Sequence, residues 1–230
     1  GLQMVASQKP TESLFDLTND PNEFVDLAQN PKYSTELLEL RSVHDRWMKD
    51  ILDVGLIPES IVRTWEEKND QPIYQIMRQQ EFFYDELLLM SSTQDEKILF
   101  DGLTHPNEAV RYWAGQGLYN LDLPLEKNAL ERLRETLEDS VQTVAISAAR
   151  ALLKHQKSSA IIINLLAQGL KAENEWIRLQ TALVLDDFQP AVKNLESQAE
   201  SLLKTDPNKY VIRVLNHSLN QLNKTHRQVK

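Results

Sequence analysis

A repeat of about 34 residues constrains the fold of this chain more than any other sequence feature. Four segments of the C-terminal part align on apolar anchor positions that are separated by 34, 33 and 34 residues. Small or apolar residues recur four, seven and eight positions after each anchor, which is the spacing of one helix face. The four anchors are Val110, Val144, Ile177 and Val211.

A second amphipathic segment precedes each anchored helix. These segments cover residues 98–103, 125–137, 160–170 and 192–203. Two helices per repeat, with small residues where neighbouring helices approach closely, predict an all-α array of about four helix pairs over residues 91–230.

The anchored helices resemble the second helices of HEAT-type repeats, which read V-R-x-x-A-x-x-A-L. The best copy covers residues 110–118, with Arg111 in the Arg position, and Arg178 follows the third anchor. Ala145 and Ile212 replace the Arg in the other two copies. The resemblance covers residues 91–222 and implies a HEAT-like α-α superhelix, a right-handed solenoid of helix pairs. It implies no particular activity, because such arrays serve as scaffolds, binding surfaces or enzymes.

The N-terminal part of the chain lacks this repeat. Short alternation of apolar and polar residues over 14–17 predicts a strand. Asp20, Pro21 and Glu23 then form a helix-start signature, which predicts a helix over residues 24–28.

A long amphipathic helix is predicted to open at Asn30-Pro31 and to end at Gly55. Further helices are predicted from Pro58 and from Pro72. The chain is thereby divided into a terminal segment of residues 1–60, connecting helices over 61–90 and the repeat array over 91–230. The apolar stripe of the long helix, which is expected to face a core, consists of Leu37, Leu40, Val43, Trp47 and Ile51.

Residues 14–28 resemble the closing segment of bacterial sulfatases of the alkaline-phosphatase superfamily, which reads L-Y-D-L-x-x-D-P-x-E-x-x-N-L-A. Phe15 replaces the Tyr of this pattern and Asp26 replaces the Asn. The following residues resemble the tail that continues this segment, so the resemblance covers residues 12–60. It implies that residues 14–17 form the last strand of a small C-terminal sheet beside a catalytic domain.

The catalytic residues of that family do not carry over to this chain. The family's nucleophile lies in a C-x-P-S-R or S-x-P-S-R motif and becomes formylglycine, and its calcium ion is held by Asp and Asn residues near the N-terminus. This chain contains no cysteine and neither motif. We therefore expect no catalytic residue, metal site or cofactor in this chain, whereas a parent sulfatase would use calcium and formylglycine. Gly1 in place of Met suggests a cleavage scar, and hence the C-terminal piece of a longer protein.

Charge and hydropathy exclude several classes of partner. The formal net charge of −9 argues against a nucleic-acid partner and against a DNA-glycosylase-type HEAT enzyme, because both need a basic groove. No apolar run approaches the ~18 residues of a membrane span. The five histidines lack metal-ligand spacing. The neighbours Asp186 and Asp187 point ~100° apart on a helix, so we interpret them as solvent-facing. The tail over residues 216–230 is expected to fray.

The candidate partner-binding residues are Arg111, Tyr112, Trp176 and Arg178. Trp176 precedes an anchor beside Glu175 and could lie exposed at a helix start. The alternative for both arginines is an ion pair or hydrogen bond with a turn residue of the preceding repeat.

Two functions follow from these patterns. The first is a non-catalytic C-terminal helical-repeat region of a sulfatase, which packs against the catalytic domain of the same protein or frames its substrate, in the periplasm or outside the cell. The alternative is a free-standing HEAT-like scaffold that binds another protein, for which the localisation is not defined.

Overall fold

The computed structural model describes residues 10, 12–79, 83–122, 124–155 and 159–229, without the side chains of residues 190 and 192. The regular elements of these residues are all helical. They fall into two compact units, which divide between Asp53 and Val54. None of the described helices combines the length and apolarity that crossing a membrane requires. Gly1, the predicted cleavage scar, lies outside the described residues.

The first unit contains a 3-10 helix, Pro31–Tyr33, followed by helix α1, Ser34–Asp50. The Asn30 side chain accepts a hydrogen bond from the backbone N–H of Lys32 at 3.1 Å, and Pro31 takes the first helical position. The predicted start of the long helix is thus confirmed. The helix ends before Gly55, because Leu52 adopts a left-handed φ of 54°, which no helix interior accommodates.

The predicted strand over residues 14–17 is wrong. Leu14 makes its backbone hydrogen bonds with residues that follow it in the chain. Its N–H donates to Asp26 Oδ1 at 3.0 Å, and its carbonyl accepts from Leu27 N at 2.7 Å. Asp16 closes the next turn by accepting from Thr18 N at 3.0 Å. The segment therefore forms an irregular loop that satisfies Leu14 without a sheet partner.

The predicted helix over residues 24–28 is also wrong. Asp20 Oδ2 accepts from Val25 N at 2.8 Å, and Asp26 Oδ1 accepts from Ala28 N at 2.9 Å. Glu23 adopts a left-handed φ of 56°. Side-chain carboxylates that capture nearby N–H groups compete directly with helix formation, and here they replace it with turns.

The apolar stripe of α1 does not face a core. Trp47 is 54% exposed, and Leu40, Val43 and Ile51 are exposed as well. Met48 is the buried residue of this helix. The expectation that Trp47 belongs to a core is therefore wrong, because the spacing of apolar residues defines a face without defining what covers it.

The second unit consists of eleven helices in the described residues. The helices predicted from Pro58 and Pro72 are present, with residues 80–82 outside the described part. In chain order they are α2 (Glu59–Asn69), α3 (Ile73–Gln79), α4 (Tyr84–Ser92), α5 (Glu96–Gly102), α6 (Glu108–Asn120), α7 (Lys127–Thr136), α8 (Gln142–His155), α9 (Ala160–Gly169), α10 (Glu175–Asp187), α11 (Gln189–Thr205) and α12 (Lys209–Asn223).

The predicted alternation of helices from residue 91 is confirmed. Each anchored helix packs against the helix before it, which gives the pairs α5–α6, α7–α8, α9–α10 and α11–α12. The anchored helices α6, α8, α10 and α12 also contact one another in succession. We call these four the second-helix layer and the helices α5, α7, α9 and α11 the first-helix layer.

Asparagine side chains start three of the four anchored helices. Asn107 Oδ1 accepts from Ala109 N at 2.9 Å, and Asn174 Oδ1 accepts from Trp176 N at 3.0 Å. Asn208 Oδ1 accepts from Tyr210 N at 2.8 Å. Each Asn lies three residues before its anchor, so the repeat sets the helix start as well as the buried face.

Helix α8 is the most deeply buried helix of the second-helix layer. Val144, Ala148 and Leu152 are 2% exposed or less. Gly115 of α6 lies so close to Ser147 that a Cβ atom would collide with its hydroxyl. Small residues therefore set the distance between α6 and α8.

The tail after α12 turns back onto the last helix pair. Asn216 Nδ2 and Asn220 Nδ2 each donate to the carbonyl of Arg227 at 2.8 Å. The Arg227 guanidinium donates to both carboxylate oxygens of Glu200 at 2.9 Å. The expectation of a frayed tail is therefore wrong for these residues.

We expect Ala148→Asp or Leu152→Asp to destabilise the protein by several kcal/mol, because an unpaired carboxylate would enter a packed interface. Glu173→Ala, in the turn before α10, should change the stability by less than about 0.5 kcal/mol. Thermal unfolding of the three variants measures this difference. Equal shifts for all three would show that the repeat register is wrong.

A second prediction concerns the pH dependence of the tail. The hydrogen bond from Arg227 lowers the pKa of Glu200 below its ordinary value. A carboxyl with a lowered folded-state pKa stabilises the protein above its unfolded pKa, about 4.3, and this contribution is lost as the pH falls through the folded pKa. Glu200→Gln should therefore lower the melting temperature at pH 7 more than at pH 3.

The effect should stay below about 1 kcal/mol, because both side chains are partly exposed. Glu173→Gln makes the same change of charge away from Arg227 and serves as the control. A Glu200→Gln shift of equal size at both pH values would contradict the prediction.

Candidate interaction surface

The four candidate partner-binding residues lie in the second-helix layer. Arg111 and Tyr112 belong to α6, and Trp176 and Arg178 belong to α10. The structure gives both arginines partners within the chain. Their binding of another molecule stays a prediction.

Arg111 joins the first helix pair to the second. Its Nε donates to Asp139 Oδ2 at 2.7 Å and its Nη2 to Asp139 Oδ1 at 3.1 Å. Its Nη1 donates to the carbonyl of His105 at 2.8 Å. Asp139 lies in the turn before α8 and also accepts from Val141 N at 2.8 Å. A fork-to-fork pair of this kind fixes two turns relative to each other.

Arg178 joins the third pair to the fourth with the same geometry. Its Nε and Nη2 donate to Asp206 at 2.7 and 3.1 Å, and its Nη1 donates to the carbonyls of Ala172 and Glu173 at 2.8 Å. The Asp206 side chain is fully buried. The ion pair that the sequence offered as an alternative thus exists at both arginines, with the carboxylate in the following helix pair and not in the preceding one.

The junction between the second and third pairs carries neither half of this link. Ala145 occupies the Arg position of α8, and Ala172 occupies the Asp position of the next turn. Because a buried charge without its partner is costly, loss of both members together avoids that cost. The arginine and the aspartate are therefore present or absent as a pair.

Helix α2 contributes hydrogen bonds at this junction. Ser60 Oγ lies 2.6 Å from Thr143 Oγ1 of α8, and Asn174 Nδ2 donates to the Ser60 carbonyl at 3.2 Å. Gln180 Nε2 of α10 donates to the Thr143 carbonyl at 2.9 Å. A helix from outside the repeats thus connects the turn before α10 to the start of α8.

The same segment also contacts α6. Trp113 Nε1 donates to the carbonyl of Leu56 at 2.6 Å, and Trp65 Nε1 of α2 donates to Glu108 Oε1. Ile57 and Ile61 are buried. The segment that contains α2 therefore lies across three helices of the second-helix layer.

The Tyr112 side chain of α6 is partly buried. Burial raises the pKa of its phenol, and this effect exceeds the opposing effect of the hydrogen bond with Gln116. Gln116 Nε2 donates to Tyr112 Oη at 3.1 Å. The phenol thus has a partner within the chain.

A polar cluster lies towards the C-terminal ends of α6, α8 and α10. Arg150 Nε donates to Asp187 Oδ2 at 2.8 Å, and the Arg150 guanidinium lies 4.1 Å from the centre of the Tyr119 ring. Asp186 accepts instead from Ser218 Oγ at 2.8 Å and lies 2.7 Å from His217 Nδ1. The two adjacent carboxylates therefore serve different partners and do not form an acid–base pair.

Sequence reasoning missed this cluster. Arg150 lies six residues after its anchor and Asp187 ten residues after the next. A search for opposite charges at related positions of successive repeats could have found the pair.

The residues that the structure describes offer no donor set for the calcium ion that the sulfatase resemblance implies. Within the described ranges, no three His, Asp or Glu side chains come together as a metal site would require. The chain also lacks the motif that yields formylglycine. Neither group therefore fits the residues described for this chain.

Part of the chain is similar to a sulfatase. It is 43% identical over 74 residues to an ulvan-active sulfatase from Formosa agariphila. The match includes 31% of this chain and 12% of that protein, so the chain represents only a small part of the relative's length. No known protein-family model matches the chain. The match supports a relationship with sulfatases and leaves more than half of this chain unaligned.

The buried link between Arg178 and Asp206 generates a prediction. Arg178→Ala should destabilise the protein by about 3 kcal/mol, because it leaves a buried carboxylate without its cation. The double variant Arg178→Ala/Asp206→Ala should recover more than about 1 kcal/mol of that loss, since it recreates the uncharged junction of Ala145 and Ala172. Chemical denaturation of the single and double variants measures this coupling.

The exposed pair Lys127–Glu131 is the control, with a coupling below about 0.5 kcal/mol. Equal coupling energies for the two pairs would show that the buried link has no special weight.

Proposed function

We propose that this chain is a non-catalytic, C-terminal helical-repeat region of a sulfatase-related protein, a sulfuric ester hydrolase. The observation that carries the proposal is the 43% identity over 74 residues to an ulvan-active sulfatase. The resemblance of residues 12–60 to the closing segment of sulfatases indicates the same relationship. In this role the helices pack against a catalytic domain of the same protein or frame its substrate.

The same proposal assigns residues 91–222 to a HEAT-like superhelix. Three observations support it: the constant separation of the anchors, the succession of contacts along the second-helix layer, and the Arg–Asp links in the same geometry at two junctions. Repeats whose neighbours bury a continuous core account for all three.

Calcium and formylglycine belong, in this proposal, to the catalytic domain of the parent protein. The partner of this chain is then that domain, and the place of action is the periplasm or the cell exterior. The substrate is a sulfate ester held by the parent protein.

A free-standing scaffold is the second candidate. The observation in its favour is that the second-helix layer already carries a helix, α2, on its surface. A layer that accommodates one helix has the shape that a partner helix requires. Another protein would then be the ligand, and no sulfatase domain would be needed.

We expect the purified chain to show no turnover of an aryl sulfate. Cleavage of a sulfate ester in this family needs an activated nucleophile and a cation that stabilises the transferring group, and this chain encodes no formylglycine motif. A sulfate-release assay against a mock purification tests this. Turnover above that control would contradict the proposal.

Sequencing the gene upstream of residue 1 separates the two candidates. An open reading frame with C-x-P-S-R or S-x-P-S-R would support the sulfatase-related protein. A start codon next to Met4 would leave the scaffold as the function.

A further inference from the structure

The surface that α2 occupies can be described by positions in the repeat. Trp113, which binds the α2 segment, lies three residues after its anchor, and Thr143 lies one residue before the next. Because the anchors recur every 33 or 34 residues, the third and fourth pairs present equivalent positions. One residue before the anchor, these are Trp176 and Tyr210.

The residues at these positions differ in size between the two halves of the array. The position before the anchor holds Ala109 and Thr143 in the first two pairs, and both are buried. In the last two pairs it holds Trp176 and Tyr210, and Tyr210 is 50% exposed. Small residues thus occupy this position on α6 and α8, and large amphipathic rings occupy it on α10 and α12.

Basic side chains flank Tyr210, and an exposed apolar residue lies on the neighbouring helix α10. Leu183 is 45% exposed and lies seven residues after Trp176, on the same face of α10. Lys209 Nζ lies 5.1 Å and the Arg213 guanidinium 5.9 Å from the centre of the Tyr210 ring. Across the described residues, neither cation forms an ion pair with a carboxylate. We call Trp176, Leu183, Lys209, Tyr210 and Arg213 the α10–α12 surface.

We propose that the α10–α12 surface binds an amphipathic helix of a second polypeptide, with acidic residues beside its apolar face. Its continuity with the surface that α2 occupies indicates a helix, and its two unpaired cations select acidic side chains. The segment that contains α2 shows the required apolar pattern, since Ile57, Ile61 and Trp65 recur every four residues. This inference goes beyond the relationship with sulfatases and does not depend on it.

A peptide derived from α2 supplies the probe. We choose residues 55–70 with Arg63→Glu and Lys68→Glu, labelled with a fluorophore, and the intact chain as receptor. Fluorescence anisotropy should show saturable binding. A basic version of the native residues 55–70, which retains Arg63 and Lys68 and carries Glu66→Lys and Glu67→Lys, should bind at least about ten-fold more weakly, because it faces Lys209 and Arg213 with like charges.

Two receptor variants locate the site. Leu183→Ala/Tyr210→Ala removes the apolar contact. Lys209→Glu/Arg213→Glu reverses the charge and leaves Leu183 and Tyr210 in place. Each should weaken binding of the acidic peptide at least about ten-fold. Ile161→Ala, which truncates an exposed residue of α9 in the first-helix layer, should change it less than two-fold. Unchanged melting temperatures establish that the variants fold.

Three results would overturn the proposal. The first is the absence of saturable binding by the acidic peptide. The second is equal binding to the intact chain and to either receptor variant. The third is that a sulfated oligosaccharide binds while the acidic peptide does not, and that Lys209→Glu/Arg213→Glu abolishes this binding. That result would assign the surface to a polyanion instead.

Discussion

The second unit depends above all on the packing of α8 between its neighbours in the second-helix layer. The residues of this helix from Thr143 to Ala149 are all buried, and Gly115 lets α6 approach within contact of Ser147. A helix enclosed in this way has no room for charged side chains on its central turns. The hydrogen bonds and ion pairs between helix pairs therefore lie at the two ends of the layer. At one end they lie in the turns before the anchored helices, and at the other end they are made by Arg150. The core thereby determines where the hydrogen bonds between helix pairs can form.

The links in the turns determine the register between helix pairs more than they determine total stability. The desolvation of two buried charges offsets much of their mutual attraction, so the pair Arg178–Asp206 adds little net stability. Its main effect is to fix the relative position of two turns, because the guanidinium also donates to two carbonyls of its own turn. Where Ala145 and Ala172 replace the charged residues, Ser60 of α2 reaches both α8 and the turn before α10. The array therefore depends on a helix from outside its own repeats at the junction that lacks the Arg–Asp link.

The helices of the array could be predicted from the sequence because burial recurs there with a fixed period, and each Asn before an anchor marks a helix start. The same reasoning failed over residues 14–28, where Asp16, Asp20 and Asp26 bind backbone N–H groups that a strand or helix would use. It failed at Trp47 because the spacing of apolar residues identifies an apolar helix face but not which residues, if any, pack against that face. Arg111 and Arg178 could be found from the motif. The position of α2 could not, since Ser60 and Thr143 are 83 residues apart and share no periodic relation.

Net charge describes the α10–α12 surface poorly. The chain carries a formal net charge of −9, but Asp206 is paired with Arg178, and Glu175, which keeps its charge, is held by the neutral amide of Asn208. Lys209 and Arg213 therefore supply the positive charge at the Tyr210 ring, within a screening length of about 8 Å, and Glu175 is the negative charge held next to Lys209 by Asn208. A polysulfated chain would extend past these two cations into the acidic remainder of the protein. A short helix with a few carboxylates would place them at Lys209 and Arg213 and away from Glu175, and its apolar face would cover Leu183 and the Tyr210 ring.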